Sequence, residues 1–378
     1  MSYASPARTH LRRALRLAPA LVAAWATASF VAARLSGVAA VEALPMSVSL
    51  GRALATGLLV GLPAAWLESS VLARTDRRFG AGLSLLLRTA AYTGIVVFAT
   101  VGLVFLLNGL AFGRSPADIL GDRAVVEFLL GRPFLSLVVL LMLASFVVNL
   151  TVQLRRVLGP ETLLALLIGQ YRRPVREERA FLFLDLTDST MTAERLGPLR
   201  FTDFKNDFFT DVAEAVLATR GRIFQYVGDE AVITWPLDVA QETGAPIECF
   251  FLAHDLVARR AGHYERRYGT APRFKGGVHG GEVFTAEIGE IRRGIVHSGD
   301  VVNTAARIEG QCRPLGRTLL TSDDFAERLQ AAWPDAGDYQ YEPVGEIPLR
   351  GKAAPVGLVA VERPVGQRVH TRDAEARA

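Results

Sequence analysis

Hydrophobic and polar positions divide the chain near residue 155. Before it, four long apolar stretches, at residues 17–33, 53–73, 89–110 and 133–152, are separated by short arginine-bearing segments. Each approaches the roughly 20 mostly apolar residues that carry a helix across a bilayer. After it the apolar runs are short and change period. Residues 181–184 (FLFL) suit a central strand covered on both faces, and Asp185 to Thr190 (DLTDST) reads as a strand-to-helix turn. A helix over 191–220 places Phe201, Phe204, Phe208, Val212 and Val216 at helical spacing and ends at Gly221. Strands at 222–227 and 231–235 flank Gly228-Asp229-Glu230 and predict a hairpin. A helix over 245–268, strands at 274–278 and 282–286 around Gly280-Gly281, and a third strand at 291–297 follow. The pattern closes with helices at 301–311 and 323–333, a short strand at 319–320, and a strand pair at 341–349 and 356–362. Hairpins interrupt the helix-strand alternation, so the class is α+β with a mixed or antiparallel sheet.

These patterns predict a four-helix all-α transmembrane domain over 1–154, a connector over 155–179, a soluble domain over 180–363 and a disordered tail over 364–378. In the connector, Leu163, Leu164, Leu166 and Leu167 follow Gly159-Pro160 at helical spacing, which predicts a short amphipathic helix that lies on the membrane surface, pairs with its counterpart in a dimer or spaces the domains, pairing being the favoured role. The first apolar stretch follows Arg8, Arg12, Arg13 and Arg16, as a signal peptide would. It is nevertheless read as a span, because the run is long and no small-residue cleavage site ends it. Within the spans, Glu68 is either an intramembrane carboxylate or an interfacial residue beside Ser69 and Ser70.

Composition supports the two-part reading: 50% of the 378 residues are hydrophobic and mean hydropathy is +0.26. The net charge of +4 rests almost wholly on arginine, since Lys205, Lys275 and Lys352 are the only lysines. That excess matches cytoplasmic loop charge and gives no reason to expect nucleic acid as a partner. The amino-terminal arginines, Arg74, Arg77, Arg78 and Arg88, and Arg155 and Arg156 fall on one side of the membrane. They put both termini and the soluble domain in the cytoplasm, on a cell (inner) membrane protein whose partner is the lipid bilayer. Cys249 and Cys312 form no disulfide framework or metal-ligand spacing and read as inert thiols.

The candidate chemistry lies in the soluble domain. Asp185 and Asp229, at strand ends, are oxygen ligands suited to two hard cations that bridge phosphate oxygens. Each taken alone is equally explained by a helix cap or a turn aspartate. The backbone N–H groups of Leu186, Thr187, Asp188, Ser189 and Thr190, with the Thr190 hydroxyl, can cradle phosphates at a helix start. Asn303 and Arg307 lie one helical turn apart, suited to steering a ribose and stabilising charge on a transferred phosphoryl group. Arg350 and Lys352, in LRGK, can neutralise terminal phosphates. His254, His263 and His279 fit no ligand spacing.

The blocks FLFLDLTDST, VGDEAVITW, GGVHGGEV and SGDVVNTAARIEG, in this order between about Arg179 and Glu362, resemble the catalytic domain of class III nucleotidyl cyclases. The resemblance implies a ferredoxin-like core that forms a head-to-tail homodimer and binds a nucleoside triphosphate between subunits. It implies that Asp185 and Asp229, helped by the Leu186 carbonyl, bind two Mg2+ or Mn2+. It also implies that Asn303 and Arg307 act at the transition state in the partner's site. The reaction it implies is attack of the ribose 3'-oxygen on the α-phosphate, giving a 3',5'-cyclic nucleotide and pyrophosphate.

The chain departs from the family at the base. Adenylyl cyclases of this kind usually carry Lys three residues before the hairpin Gly-Asp, and Asp or Thr three residues before the glycine of the Asn/Arg helix; guanylyl cyclases tend to carry Glu and Cys. Here Gln225 and Val296 stand at those positions. A Gln amide both donates and accepts and so suits either purine; Val296 offers packing only, unless a shifted register brings His297 or Ser298 into its place. Family frequency favours ATP for second-messenger signalling. Guanylate cyclase activity, and a catalytically silent nucleotide-binding receptor or scaffold, are the alternatives.

Overall fold

The structure, a computed structural model, describes residues 45–67, 81–113, 115–158, 160–290 and 293–364, with scattered positions between 18 and 30. The chain divides into two compact units, Met1–Leu167 and Ile168–Ala378.

In the first unit the described helices are α1 (Met46–Leu67), α2 (Ala81–Phe112), α3 (Pro116–Gly121), α4 (Arg123–Leu130), α5 (Arg132–Leu158) and α6 (Pro160–Ile168), the last ending at the boundary with the second unit. Two stretches among the described residues are long and apolar enough to cross a membrane, Met46–Leu67 and Phe134–Leu154. They overlap the second and fourth expected spans. The earlier start of α1 is explained by Ser47, Ser49 and Gly51, which dilute the apolar signal without breaking the helix. The expected third span falls inside α2. The first span lies largely outside the described residues, as do Glu68 and the tail beyond Pro364. Val60, Ala64 and Ala65 of α1 form a small core with Tyr92 of α2, against which Val148 of α5 packs. Arg88, expected at a helix edge, is fully buried within α2, where its Nε donates to Ser84 Oγ at 3.2 Å. Asn149 is satisfied within its own helix, donating to Ser145 O at 2.9 Å.

The second unit runs β1 (Val175–Leu186), α7 (Ser189–Leu196), α8 (Pro198–Ala218), β2 (Arg222–Val227), β3 (Glu230–Pro236), α9 (Leu237–Thr243), α10 (Ala245–Arg259), α11 (Ala261–Tyr268), β4 (Phe274–Ile288), β5 (Gly294–Ser298), α12 (Asp300–Gln311), β6 (Leu319–Ser322), α13 (Asp323–Ala332), β7 (Gln340–Ile347) and β8 (Val356–Glu362). The sheet order is β2-β3-β1-β4-β6-β8-β7, with β5 paired to β4. All pairs are antiparallel except β4 with β6. The first four strands and their two helical crossovers therefore make a β-α-β-β-α-β, ferredoxin-like unit.

β1 sits at the centre, as its apolar run predicts. Leu182, Leu184 and Leu186 face a core built with Phe204, Phe208 and Val212 of α8 and Phe250 of α10. Phe181 and Phe183 face Val301 and Ala305 of α12 on the other side. The strand also reaches back through Val175–Arg179, residues the sequence pattern places in the connector. Val175 and Glu177 are half-buried there while Arg176 and Glu178 are exposed, a period of two carried by charged residues that no hydrophobic pattern displays.

Three other boundaries differ from expectation. The helix expected over 191–220 breaks at Gly197-Pro198, where Gly197 has φ 75°. The helix expected over 245–268 breaks at Arg260 and is preceded by α9, which has no strong periodic signal. Gly280-Gly281, read as a turn, lies inside one continuous strand, β4. The partner strand β1 pairs along its whole length, with Ala180 opposite Gly280 and Arg179 opposite Gly281. These glycines make room for overlying side chains: a Cβ on Gly280 would sit 2.5 Å from Phe325, and one on Gly281 2.9 Å from Val301. Cys249 and Cys312 are buried and unpaired, and burial pushes both thiols up to about 12, so they are inert.

Candidate active site

The exposed end of β1 gathers charge. Asp185, next to last in the strand, lies opposite Glu230 of β3 and Lys275 of β4. The Lys275 ammonium is 3.3 Å from Asp185 Oδ2 and 2.5 Å from Glu309 Oε1 of α12. Asp229 follows Gly228 (φ 66°) in the β2–β3 turn. Burial pushes the Asp185 carboxyl above its ordinary range; Lys275 opposes that shift and Asp229 adds to it. Burial, together with the charges of Glu309, Asp185 and Asp229, pushes Glu230 up to about 7. Burial also raises Glu309 against the pull of Lys275. Asp185 and Glu309 thus share one ammonium, with Asp229 and Glu230 close enough to act on the same groups, and this crowding of acidic side chains is what a site for divalent cations requires. Among the described residues no group of three or more His, Cys, Asp or Glu can hold a metal by itself. Asp185, Asp229 and the Leu186 carbonyl are hard oxygen donors that fit Mg2+ or Mn2+ once phosphate oxygens complete the shell.

The following turn is built for anions. The Thr187 amide is spent on Arg273 O at 2.8 Å. Asp188 sits at the N-cap of α7 in the left-handed region (φ 55°) but makes no side-chain cap bond. Its carboxylate is held instead by Arg273 Nη2 at 2.7 Å. Ser189 and Thr190 open α7, so the first-turn amides meet no capping side chain.

Asn303 and Arg307 lie on α12, Asn303 exposed and Arg307 half-buried with its Nη1 buried and unpartnered. The loop between β7 and β8 meets this helix: Lys352 pairs with Asp300, and Gly351 lies beside the Arg307 guanidinium. Arg350 is exposed. Among the described residues no hydrogen bond or ion pair joins Asn303 or Arg307 to Asp185 or Asp229.

Gln225 is exposed on β2, just after a bulge at Phe224. Val296 is exposed on β5 and Ser298 shares its side, but His297 points into the protein. Its Nδ1 lies 2.8 Å from Thr285 Oγ1, and its ring packs against Phe181 and Phe224 with centroids 5.6 and 4.7 Å away. His297 therefore does not take the place of Val296, because neighbouring residues of a strand face opposite ways. The other histidines among the described residues are structural: His279 Nδ1 lies 2.7 Å from Ser322 Oγ, His263 meets Asp207 at 2.9 Å, and His254 packs on Phe274. Lys275 is the residue sequence reasoning missed. Its only signal is a lone lysine in the strand before GGVHGG, and its role depends on being opposite Asp185.

Burial pushes His279 and His297 from the ordinary 6.5 down to about 4. Unfolded imidazoles bind protons below about 6.5, while the folded ones stay neutral until about 4. Unfolding therefore takes up protons in that window, and stability falls as pH drops through it. The expected loss is on the order of 2 kcal/mol per histidine. Denaturation curves from pH 7 to pH 4.5 should show it, and His297→Gln should flatten the His297 share.

Comparison with known proteins identifies the family. A family model of the adenylate and guanylate cyclase catalytic domain matches residues 174–361. Adenylate cyclase 2 of Rhizobium meliloti (strain 1021) is 38% identical over 254 residues, covering 65% of this chain and 69% of that protein. Adenylate cyclase 1 of the same organism is 25% identical over 189 residues, covering 49% of this chain and 28% of that protein. Among solved structures, the adenylyl cyclase CyaB from P. aeruginosa is similar with a TM-score of 0.45 at 17% identity, over 52% of this chain and 98% of that one. With a catalytic-domain match over the second unit and a relative this similar over most of its length, the chain belongs to the adenylate and guanylate cyclase family and is a nucleotide cyclase.

Proposed function

We propose that this chain is a membrane-anchored adenylate cyclase that acts as a homodimer, converting ATP to 3',5'-cyclic AMP and pyrophosphate with two Mg2+ or Mn2+ per site. The observation that carries the reading is the surplus of carboxylates at the end of β1, with Asp185 and Asp229 at the positions the family resemblance assigns to metal binding. Asp185, Asp229 and the Leu186 carbonyl hold the cations, which supply positive charge at the triphosphate and acidify the ribose 3'-hydroxyl. The amides of Asp188 to Thr190 cradle the phosphates; Arg350 and Lys352 neutralise the terminal ones. Asn303 and Arg307 of the partner subunit orient the ribose and balance charge on the α-phosphate. The 3'-oxygen bonds to the α-phosphorus and loses its proton, the bond to the bridging oxygen breaks, and pyrophosphate leaves.

Two observations support the dimer. Among the described residues, Asn303 and Arg307 make no hydrogen bond or ion pair with Asp185, which is paired with Lys275. Tyr226 and Val227 of β2, Phe284 and Ile288 of β4, and Val296 of β5 are large apolar side chains left exposed on the two hairpins. Adenine is favoured because the similar Rhizobium proteins are adenylate cyclases; Gln225 accepts either purine. The amino-terminal part, 1–154, anchors the enzyme with its catalytic domain, which begins with β1 at Val175, in the cytoplasm, joined by a connector that ends before that strand. Two candidate spans support this, and loss of the chain from carbonate-washed membranes would remove it.

The deciding experiment incubates the full-length protein with Mn2+ and either ATP or GTP and separates the products by chromatography. The expected outcome is cyclic AMP with pyrophosphate, and cyclic GMP at least about tenfold more slowly. Faster cyclic GMP production makes the chain a guanylate cyclase; nucleotide binding with no product makes it a silent receptor.

A further inference from the structure

Behind the base positions runs a buried chain of hydrogen bonds. Tyr171 is buried, and its hydroxyl donates to Glu177 Oε1 at 2.8 Å. The Thr285 hydroxyl, fully buried, donates to Glu177 Oε2 at 2.7 Å. A hydroxyl has one proton to give, so the 2.8 Å contact with His297 Nδ1 is one in which the imidazole donates and Thr285 accepts. Burial keeps His297 neutral, which suits that arrangement. Arg179 Nη1 stands 3.6 Å from Glu177 Oε2, while its Nε donates to Thr234 Oγ1 at 3.0 Å. A backbone bond from Glu287 N to Tyr171 O, 2.8 Å, ties the same segment to β4.

This chain ends at both base positions. His297 precedes Ser298 and follows Val296 on β5, so fixing its imidazole fixes the side on which Val296 projects. Its ring also packs on Phe224, the bulged residue before Gln225 on β2. β2 and β5 do not pair with each other. His297 is a contact between them, and Thr285 is its polar anchor.

We propose that Thr285 is a specificity-determining positioning residue, whose hydroxyl, by holding His297 to Glu177, sets the spacing of Gln225 and Val296 and hence the fit of the purine base. The inference rests on the assignment of Gln225 and Val296 to the base side of the nucleotide site. Thr285 touches no substrate and acts through β5 and Phe224. Removing its hydroxyl leaves the Glu177 oxygen with one partner fewer and the imidazole N–H with none, a cost relieved only by moving the hairpin.

The test compares Thr285→Val, which keeps the side-chain shape, with Thr285→Ser, which keeps the hydroxyl, in the full-length protein. For Thr285→Val, KM for ATP should rise about fivefold and the ATP-to-GTP ratio of kcat/KM should fall about fivefold, with kcat within about twofold. Thr285→Ser should restore both to within about twofold of the parent. Unchanged KM and ratio in Thr285→Val overturn the proposal, as does equal loss in both variants. Should Thr285→Val not fold, Tyr171→Phe removes one bond from the far end of the chain; a smaller shift in the same direction supports the proposal and no shift overturns it. Gln225→Ala separates this inference from the reading beneath it. If Gln225→Ala leaves the nucleotide ratio unchanged, the base-side assignment itself fails; if it shifts the ratio while Thr285→Val does not, only the role of Thr285 fails.

Discussion

Asp185→Asn is expected to lower cyclic nucleotide production by about a thousandfold while leaving the protein folded. The substitution keeps the shape of the side chain and removes a charge that already opposes burial at the end of β1. Lys275 keeps its 2.5 Å partner, Glu309, so no ammonium is stranded. Melting should therefore be unchanged or slightly higher, the pattern expected where a site holds charge for function at the expense of stability. Arg307→Ala should lose a similar factor through the other half of the site. Because the proposed site takes these groups from two subunits, the two defects should complement. Equal mixing gives half heterodimers, each with one intact site of two, so activity should return to about one quarter of the parent value. A mixture as inactive as either variant would show that each subunit builds its own site. Measuring pyrophosphate release in co-expressed and singly expressed variants distinguishes these results.

Gly277→Ala is expected to cost about 2–3 kcal/mol in denaturation and about a hundredfold in turnover. A Cβ there would stand 2.6 Å from Glu309 Cα and 2.7 Å from Ala305 O, both backbone atoms of α12 that no rotamer can move aside. The whole helix has to shift, and with it Asn303, Arg307 and the Glu309 carboxylate that holds Lys275. Gly310→Ala is the control, being on the same helix with no atom within 4 Å of the added carbon. It should raise stability by about 0.5–1 kcal/mol, because alanine restricts the unfolded chain and favours helix. If both glycines tolerate alanine equally, the close seating of α12 on β4 is not what holds the catalytic helix in place.

Much of this site is legible in the order of residues along the chain. Asp185 ends an apolar run, Asp229 sits between two strand patterns after a glycine, and Asn303 and Arg307 lie on one face of a periodic helix. Each is a statement about a few neighbours, and local periodicity carries it. Where the sequence reading went astray, the deciding contact was remote. Gly280 and Gly281 resemble a turn until β1 is seen to pair straight through them. Val175–Arg179 resembles a charged linker until β4 supplies its ladder. His297 remained open as a base-reading group until its ring was placed between Phe181 and Phe224.

By itself, then, the amino-acid sequence determined the apolar stretches, the soluble α+β pattern and the identities of the acidic and basic groups at their turns, since these follow from side-chain chemistry and local period. Only the tertiary structure decided that Lys275 stands beside Asp185, that α12 carries Glu309 to meet it, and that Thr285 joins Glu177 to His297. The physical reason is register. Which side chains meet across a sheet depends on how strands distant in the chain align, and an offset of one residue would send each of these groups to the opposite face.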